Sequence, residues 1–240
     1  MPFEFTNSRF LMCEGDDDKG FLEALIKVRC LPEFQICRAD ECNTMGQDGK
    51  GVGGRSGFEH SLAGFKPTKG FGNVKAILIV SDNDKAGSFA EVQDAFTKNG
   101  HTPPTMASAL GSIDGKPAAV LMIPSPTQNG DLESLCLPEI HRVWPAAPPC
   151  VDAFMACTGS DKWQKQSSIN KTRARAVVVG FNEDDPYRGI GHLFRKGNLD
   201  PSNPCFDQVA DFLRNFDTFT GVANATVAPP AAIQQPLPPA

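Results

Sequence analysis

Two short acidic motifs hold the residues best suited to chemistry in this 240-residue chain. The first is Cys13-Glu14-Gly15-Asp16-Asp17-Asp18, and the second is Ser81-Asp82-Asn83-Asp84-Lys85-Ala86-Gly87. Side chains two positions apart on extended backbone point the same way, so Asp82 and Asp84 can converge on one cation. All-oxygen donor sets of high negative charge select hard Mg2+ or Mn2+ over Zn2+. Either motif alone also reads as an ordinary helix N-cap, a role open to Asp18 and Asp84. Taken together they point to a cation, because carboxylates gathered at one sheet edge repel strongly unless a positive charge neutralises them.

Each motif follows an apolar run and opens onto a helical pattern. Arg9–Cys13 reads as a buried strand, followed by a helix over Asp18–Cys30 with Phe21, Leu22, Leu25 and Ile26 on one face. Val74–Val80 is apolar enough to be central in a parallel sheet, and a helix over Ala86–Lys98 follows it. In an open parallel sheet both motifs then lie at the carboxyl ends of strands, where such folds bind ligands. Further strands are expected at Glu33–Cys37 and Ala176–Val179. Met106–Leu110 and Ala118–Ile123 flank the turn signal Asp114-Gly115 and read as a hairpin. Helices are expected over Cys150–Trp163 and Cys205–Phe216. The alternation specifies an α/β class: a parallel sheet with flanking helices, a hairpin and C-terminal helical additions. The glycine-rich stretch Met45–Gly57 reads as an inserted flexible loop, and its G-K-G-V-G-G run lacks the Walker spacing.

One α/β unit is expected over residues 1–221, with core motifs in 9–140 and a basic helical extension in 141–221. The Pro/Ala-rich tail, 222–240, should be disordered. The N-terminus lacks the features of a secretory signal, no run approaches a membrane span, and the expected location is cytoplasmic. The eight cysteines read as reduced thiols, Cys30, Cys37 and Cys42 being too unevenly spaced for a convincing zinc cluster. Net charge −5 argues against a generic basic nucleic-acid coat. The charges are nonetheless segregated. Lys162, Lys165, Lys171, Arg173, Arg175, Arg188, Arg195 and Lys196 gather in one later segment, a pattern that fits a phosphate backbone or a solvated basic face. Trp163 could stack a base, whereas His141 and His192 read as core or surface residues.

Glu14-Gly15 after the first strand, and Asp82-Asn83-Asp84 with Ala86-Gly87 after a later one, resemble the Toprim signature of topoisomerases, primases and related nucleases. The E-G-x-D-D form, Glu14, Gly15, Asp17 and Asp18, looks closest to small Toprim nucleases such as the OLD family and ribosomal RNA maturation enzymes. Gly130-Asp131-Leu132-Glu133 resembles the G-x-L-E segment of OLD-like proteins. The layout through Phe216 is similar to a stand-alone Toprim-like family of largely uncharacterised function.

The resemblance implies a Rossmannoid sheet and Mg2+- or Mn2+-dependent cleavage of phosphodiester bonds in DNA or RNA. Asp82 and Asp84 would hold the cation, and Glu14 would serve as ligand and as general base or acid. Asp18 with Glu133 would hold a second ion. A lysine would contact the phosphate, Lys162 and Lys171 being the candidates, with Lys165, Arg173 and Arg175 binding nucleic acid. OLD-like enzymes carry an ABC-type ATPase, so a separate ATPase partner is expected, as is a homo-oligomer. The alternatives are a non-catalytic or regulatory Toprim-fold metal- or nucleic-acid-binding module and a primase-like nucleotidyl transferase. A topoisomerase would need a nucleophilic tyrosine in a separate large domain, and Tyr187 is the sole tyrosine.

Overall fold

The apolar runs that precede the two acidic motifs are neighbouring parallel strands. In the computed structural model, which describes residues 3–42, 53–107, 109–181, 183 and 187–222, β1 (Arg9–Cys13) lies between β2 (Gln35–Arg38) and β3 (Ala76–Asp82). The hairpin β4 (Leu110–Ile113) and β5 (Lys116–Ile123) completes a sheet of order β2-β1-β3-β5-β4. All pairings are parallel except β4 with β5. Asp114 and Gly115 both take positive φ, the geometry a two-residue hairpin turn requires.

Alternation along the strands builds two cores. Leu11, Cys13, Leu78, Val80, Leu121 and Ile123 face one side, and Phe10, Met12, Ile77, Ile79, Val120 and Met122 face the other. The first side is covered by α1 (Asp16–Val28) and the second by α2 (Ala39–Cys42), α3 (Ser56–Gly64) and α4 (Ser88–Lys98). The chain then returns to the first side with α5 (Leu132–Val143), α6 (Ala147–Thr158), α7 (Gln166–Phe181) and α8 (Ile190–Lys196). There α9 (Asp207–Arg214) and α10 (Phe216–Thr220) close it. The result is a mixed α/β fold of Rossmann-like class, with a mostly parallel five-stranded sheet flanked by helices. Among the described residues no helix is long and apolar enough to cross a membrane.

Several sequence expectations need correction. Ala176–Val179 is not a strand but the last turns of α7, where Ala174, Val177 and Val178 form one buried stripe. Its β-branched run imitates a strand, and helical packing overrides the propensity. The first hairpin strand starts at Leu110 instead of Met106. The expected loop Met45–Gly57 ends in structure, since α3 begins at Ser56; residues 45–52 lie outside the described residues, as does the tail from 223. The periodic run Cys205–Phe216 divides into α9 and α10 at Asn215. All eight cysteines are free; Cys30 is exposed, whereas Cys37 and Cys42 are buried in the second core.

Candidate functional site

The chain leaves β1 toward β2 on one side, while β3 leads to the hairpin on the other. The carboxyl ends of β1 and β3 therefore flank a topological switch point, where open α/β sheets form a crevice. Glu14 directly follows β1, and Ser81 and Asp82 end β3. Glu14 Oε1 accepts hydrogen bonds from Ser81 Oγ at 2.6 Å and from the Asp82 N–H at 3.1 Å. Arg55 Nε donates to Ser81 Oγ at 3.0 Å. A guanidinium only donates, so the Ser81 proton is directed onto Glu14.

The three consecutive aspartates of the first motif do different things. Gly15, in extended conformation, is the N-cap of α1, and Asp18 Oδ2 accepts from its N–H at 2.9 Å. Asp16 faces outward and pairs with Arg195 and Arg38. Asp17 Oδ1 accepts from the Gly191 N–H at 2.8 Å, tying the start of α1 to the start of α8. A Cβ on Gly191 would sit 2.7 Å from Asp17 Cα, and one on Gly20 would sit 2.6 Å from the Gly191 carbonyl oxygen, so both positions need glycine. Only Asp18 is left to face Glu14.

The second motif divides its labour by alternation. Asn83 turns away from its neighbours: its Nδ2 donates to the carbonyls of Ser125, Pro126 and Gln128, and its backbone bridges Gly130. That pin carries the start of α5 to Asp82, whose Oδ1 accepts from the Leu132 N–H at 3.1 Å. Asp131 caps α5, accepting from the Ser134 N–H at 2.9 Å, while its buried Oδ2 has no hydrogen-bond partner. Lys171 of α7 stands between acids, its Nζ 3.9 Å from Asp82 Oδ2 and 3.8 Å from Asp131 Oδ2. Lys165 Nζ lies 3.4 Å from Asp84 Oδ2.

These carboxylates are electrostatically overloaded. Burial, reinforced by the charge of Glu14, pushes the Asp18 carboxyl up to about 7. Burial and the charges of Asp18 and Glu14 lift Asp82 well above the usual carboxylate range. Glu133 is also raised by burial, with Lys171 opposing and Asp131 adding to the rise. Against its own burial, Asp84 is held low by the hydrogen bond and charge of Arg55 and by Lys165. The Lys171 ammonium is favoured, against its burial, by Glu133, Asp82, Asp131 and Asp84.

The donor chemistry, all carboxylate oxygen with one buried oxygen lacking a hydrogen-bond partner, fits a hard divalent cation. In the conformation seen, no group of three or more His, Cys, Asp or Glu among the described residues is arranged to hold a metal ion. Asp84 Oδ1 instead accepts from Arg55 Nη2 at 2.8 Å. A polar cavity of about 550 Å³ opens beside Glu14 and Asp84, lined also by Arg55, Lys85, Lys98 and Lys165.

Of the residues singled out in the sequence, Glu14, Asp18, Asp82, Asp84, Glu133, Lys165 and Lys171 meet around this crevice. Lys162 is exposed, and the lysine contacts to the acids come from Lys165 and Lys171 instead. Arg173 pairs with Asp152 of α6 at 2.9 Å, and Arg175 is exposed on α7. Sequence reasoning missed Arg55, Ser81 and Asp131. Arg55 sat at the end of a stretch read as an insertion, while Asp131 was in plain view beside Glu133 in the G-x-L-E segment.

A family model described as a protein of unknown function, DUF3226, matches residues 8–217. No curated protein matches the chain. Among solved structures, the hypothetical protein PH0156 from Pyrococcus horikoshii OT3 is similar at 12% sequence identity and a TM-score of 0.47. The match covers 90% of this chain and 96% of that one.

Proposed function

The chain belongs to the DUF3226 family, and from its own residues we propose a Mg2+- or Mn2+-dependent nuclease that cleaves phosphodiester bonds in DNA or RNA. The observation that carries the reading is the meeting of both acidic motifs across the β1–β3 crevice, with Glu14 Oε1 bonded to Ser81 and Asp82. A divalent cation held by Asp82 and Asp84 would polarise the phosphoryl oxygens and stabilise charge on the leaving oxygen. Asp18 with Glu133 would hold a second ion.

Glu14 is fixed through Oε1, which leaves Oε2 to take a proton from water or give one to the departing hydroxyl. Lys171 and Lys165, already seated among the acids, would turn to the phosphate of a bound strand. Trp163, half exposed, offers a ring for stacking. Under this proposal the protein is cytoplasmic, self-associates and works with a separate ABC-type ATPase.

The test is incubation with plasmid, single-stranded DNA and RNA in Mg2+ or Mn2+, beside Glu14→Gln and Asp82→Asn. Cleavage lost in both variants is the expected result. Cleavage that survives both would refute the site, and none from the wild-type chain, alone or with co-encoded partners, would refute the activity.

A further inference from the structure

Arg55 reaches the carboxylate crevice from the second face of the sheet, where α3 packs. Its side chain is 10% exposed. Nε reaches Ser81 Oγ and lies 3.4 Å from Glu14 Oε1. Nη2 donates to the Asp82 carbonyl at 2.7 Å and to Asp84 Oδ1 at 2.8 Å, and Nη1 donates to Glu91 at 3.0 Å. The backbone delivers it there, because the Gly54 N–H donates to the Glu14 carbonyl at 3.1 Å just before Arg55 opens α3. One guanidinium thus touches the nucleophile-handling carboxylate and one of the two aspartates proposed as cation ligands.

We infer that Arg55 is a tethered cation that holds Glu14 and Asp84 while the site is empty of metal and competes with a divalent ion for them. The inference rests on the cation site proposed above. Two observations support it. Asp84 is committed to Arg55, although its spacing from Asp82 should aim both at one point. Elsewhere in the same cluster, Asp131 Oδ2 is buried without a hydrogen-bond partner, 3.8 Å from Lys171 Nζ, an oxygen left available to a cation with Arg55 in place. An arginine that must yield Asp84 sets a threshold for loading: the ion binds only where its gain exceeds the loss of a partly buried, multiply bonded guanidinium contact.

The experiment is Mn2+ titration, followed by calorimetry and by the electron paramagnetic resonance of free Mn2+, on the wild type, Arg55→Gln, Arg55→Lys and Asp82→Asn. Removing one like charge from beside a partly screened ion should tighten Mn2+ binding about tenfold in Arg55→Gln. Arg55→Lys, which keeps the charge, should stay close to the wild type. In the wild-type protein, Mg2+ titration should shift the 15N–1H signal of Arg55 Nε as the guanidinium gives up Asp84, a readout that needs no variant to fold. If Asp82→Asn abolishes binding but Arg55→Gln binds no tighter, or the Arg55 signal stays still at saturation, the role of Arg55 is wrong and the site stands. If Asp82→Asn binds as the wild type does, or the wild type binds no Mn2+, the site itself is wrong and the inference goes with it.

Discussion

The Asp82 N–H donates to Glu14 Oε1 at 3.1 Å, joining the end of β3 to the residue that follows β1. This bond links residues 68 positions apart, with α1, β2, α2 and α3 between them, and Ser81 strengthens it by donating to the same oxygen. Ser81 is buried, and its hydroxyl is oriented by Arg55. Ser81→Ala should therefore cost about 1 kcal/mol of stability, the usual net worth of a buried hydrogen bond. Under the proposed nuclease reading it should also lower cleavage at least tenfold by loosening the hold on Glu14. Denaturant unfolding beside single-turnover cleavage separates the two effects.

The raised acids make stability fall as pH rises. Asp18, near 3.8 when unfolded, titrates at about 7 in the folded chain, so between those values the folded state binds more protons than the unfolded state. Stability from this group is full at acid pH and is lost as pH climbs through 7, with Asp82 acting in the same direction. In chelator, the melting temperature should drop by about 3 °C or more between pH 5.5 and 8. Asp18→Asn should flatten that slope, and an unchanged slope would place the charge repulsion elsewhere.

Divalent cations should reverse this penalty. Binding to the folded state alone stabilises by mass action, so an ion present at about a hundred times its Kd should add roughly 2.7 kcal/mol. Mg2+ or Mn2+ should raise the melting temperature most at pH 8, above the Asp18 pKa of about 7, and least at pH 5.5. Differential scanning fluorimetry in matched ionic strength checks this, with Asp82→Asn as the variant that should not respond.

Arg9 and Asp217 serve as a control at the opposite end of β1. Arg9 Nε donates to Asp217 Oδ1 at 2.6 Å, and the second guanidinium nitrogen pairs with Oδ2; Asp217 is 5% exposed. Asp217→Asn leaves a partly buried arginine without its counter-charge and should cost about 3 kcal/mol. Mn2+ affinity should not change. A matching loss of affinity would mean that the site depends on global stability and not on its own residues.

The strands were legible because β1, β3 and β5 are buried on both faces and read as unbroken apolar runs. The acids were legible because they follow those strands immediately. Helix α5 was not, since Pro138 interrupts its interior and its N-cap Asp131 belonged to a motif noticed for Glu133. Ala176–Val179 misled because local β-propensity cannot see that Val177 and Val178 close a stripe begun at Ala174. Arg55 was invisible for a different reason. Nothing near it in sequence marks it, and its partners at positions 14, 81, 82, 84 and 91 are assembled only by the sheet. Asp16 and Asp17 stand beside Asp18 in the same motif, yet only the fold reveals that they are spent on Arg195 and on the Gly191 N–H.

The central claim is that the two acidic motifs form one cation site, and the most direct measurement is a crystal structure of the protein soaked in Mn2+, with anomalous data collected at the manganese edge. The account expects an anomalous peak in the β1–β3 crevice within bonding distance of Asp82 and Asp84, with Arg55 turned off Asp84. Full-occupancy manganese bound elsewhere, or an empty crevice with Arg55 still on Asp84 at saturating Mn2+, would contradict it.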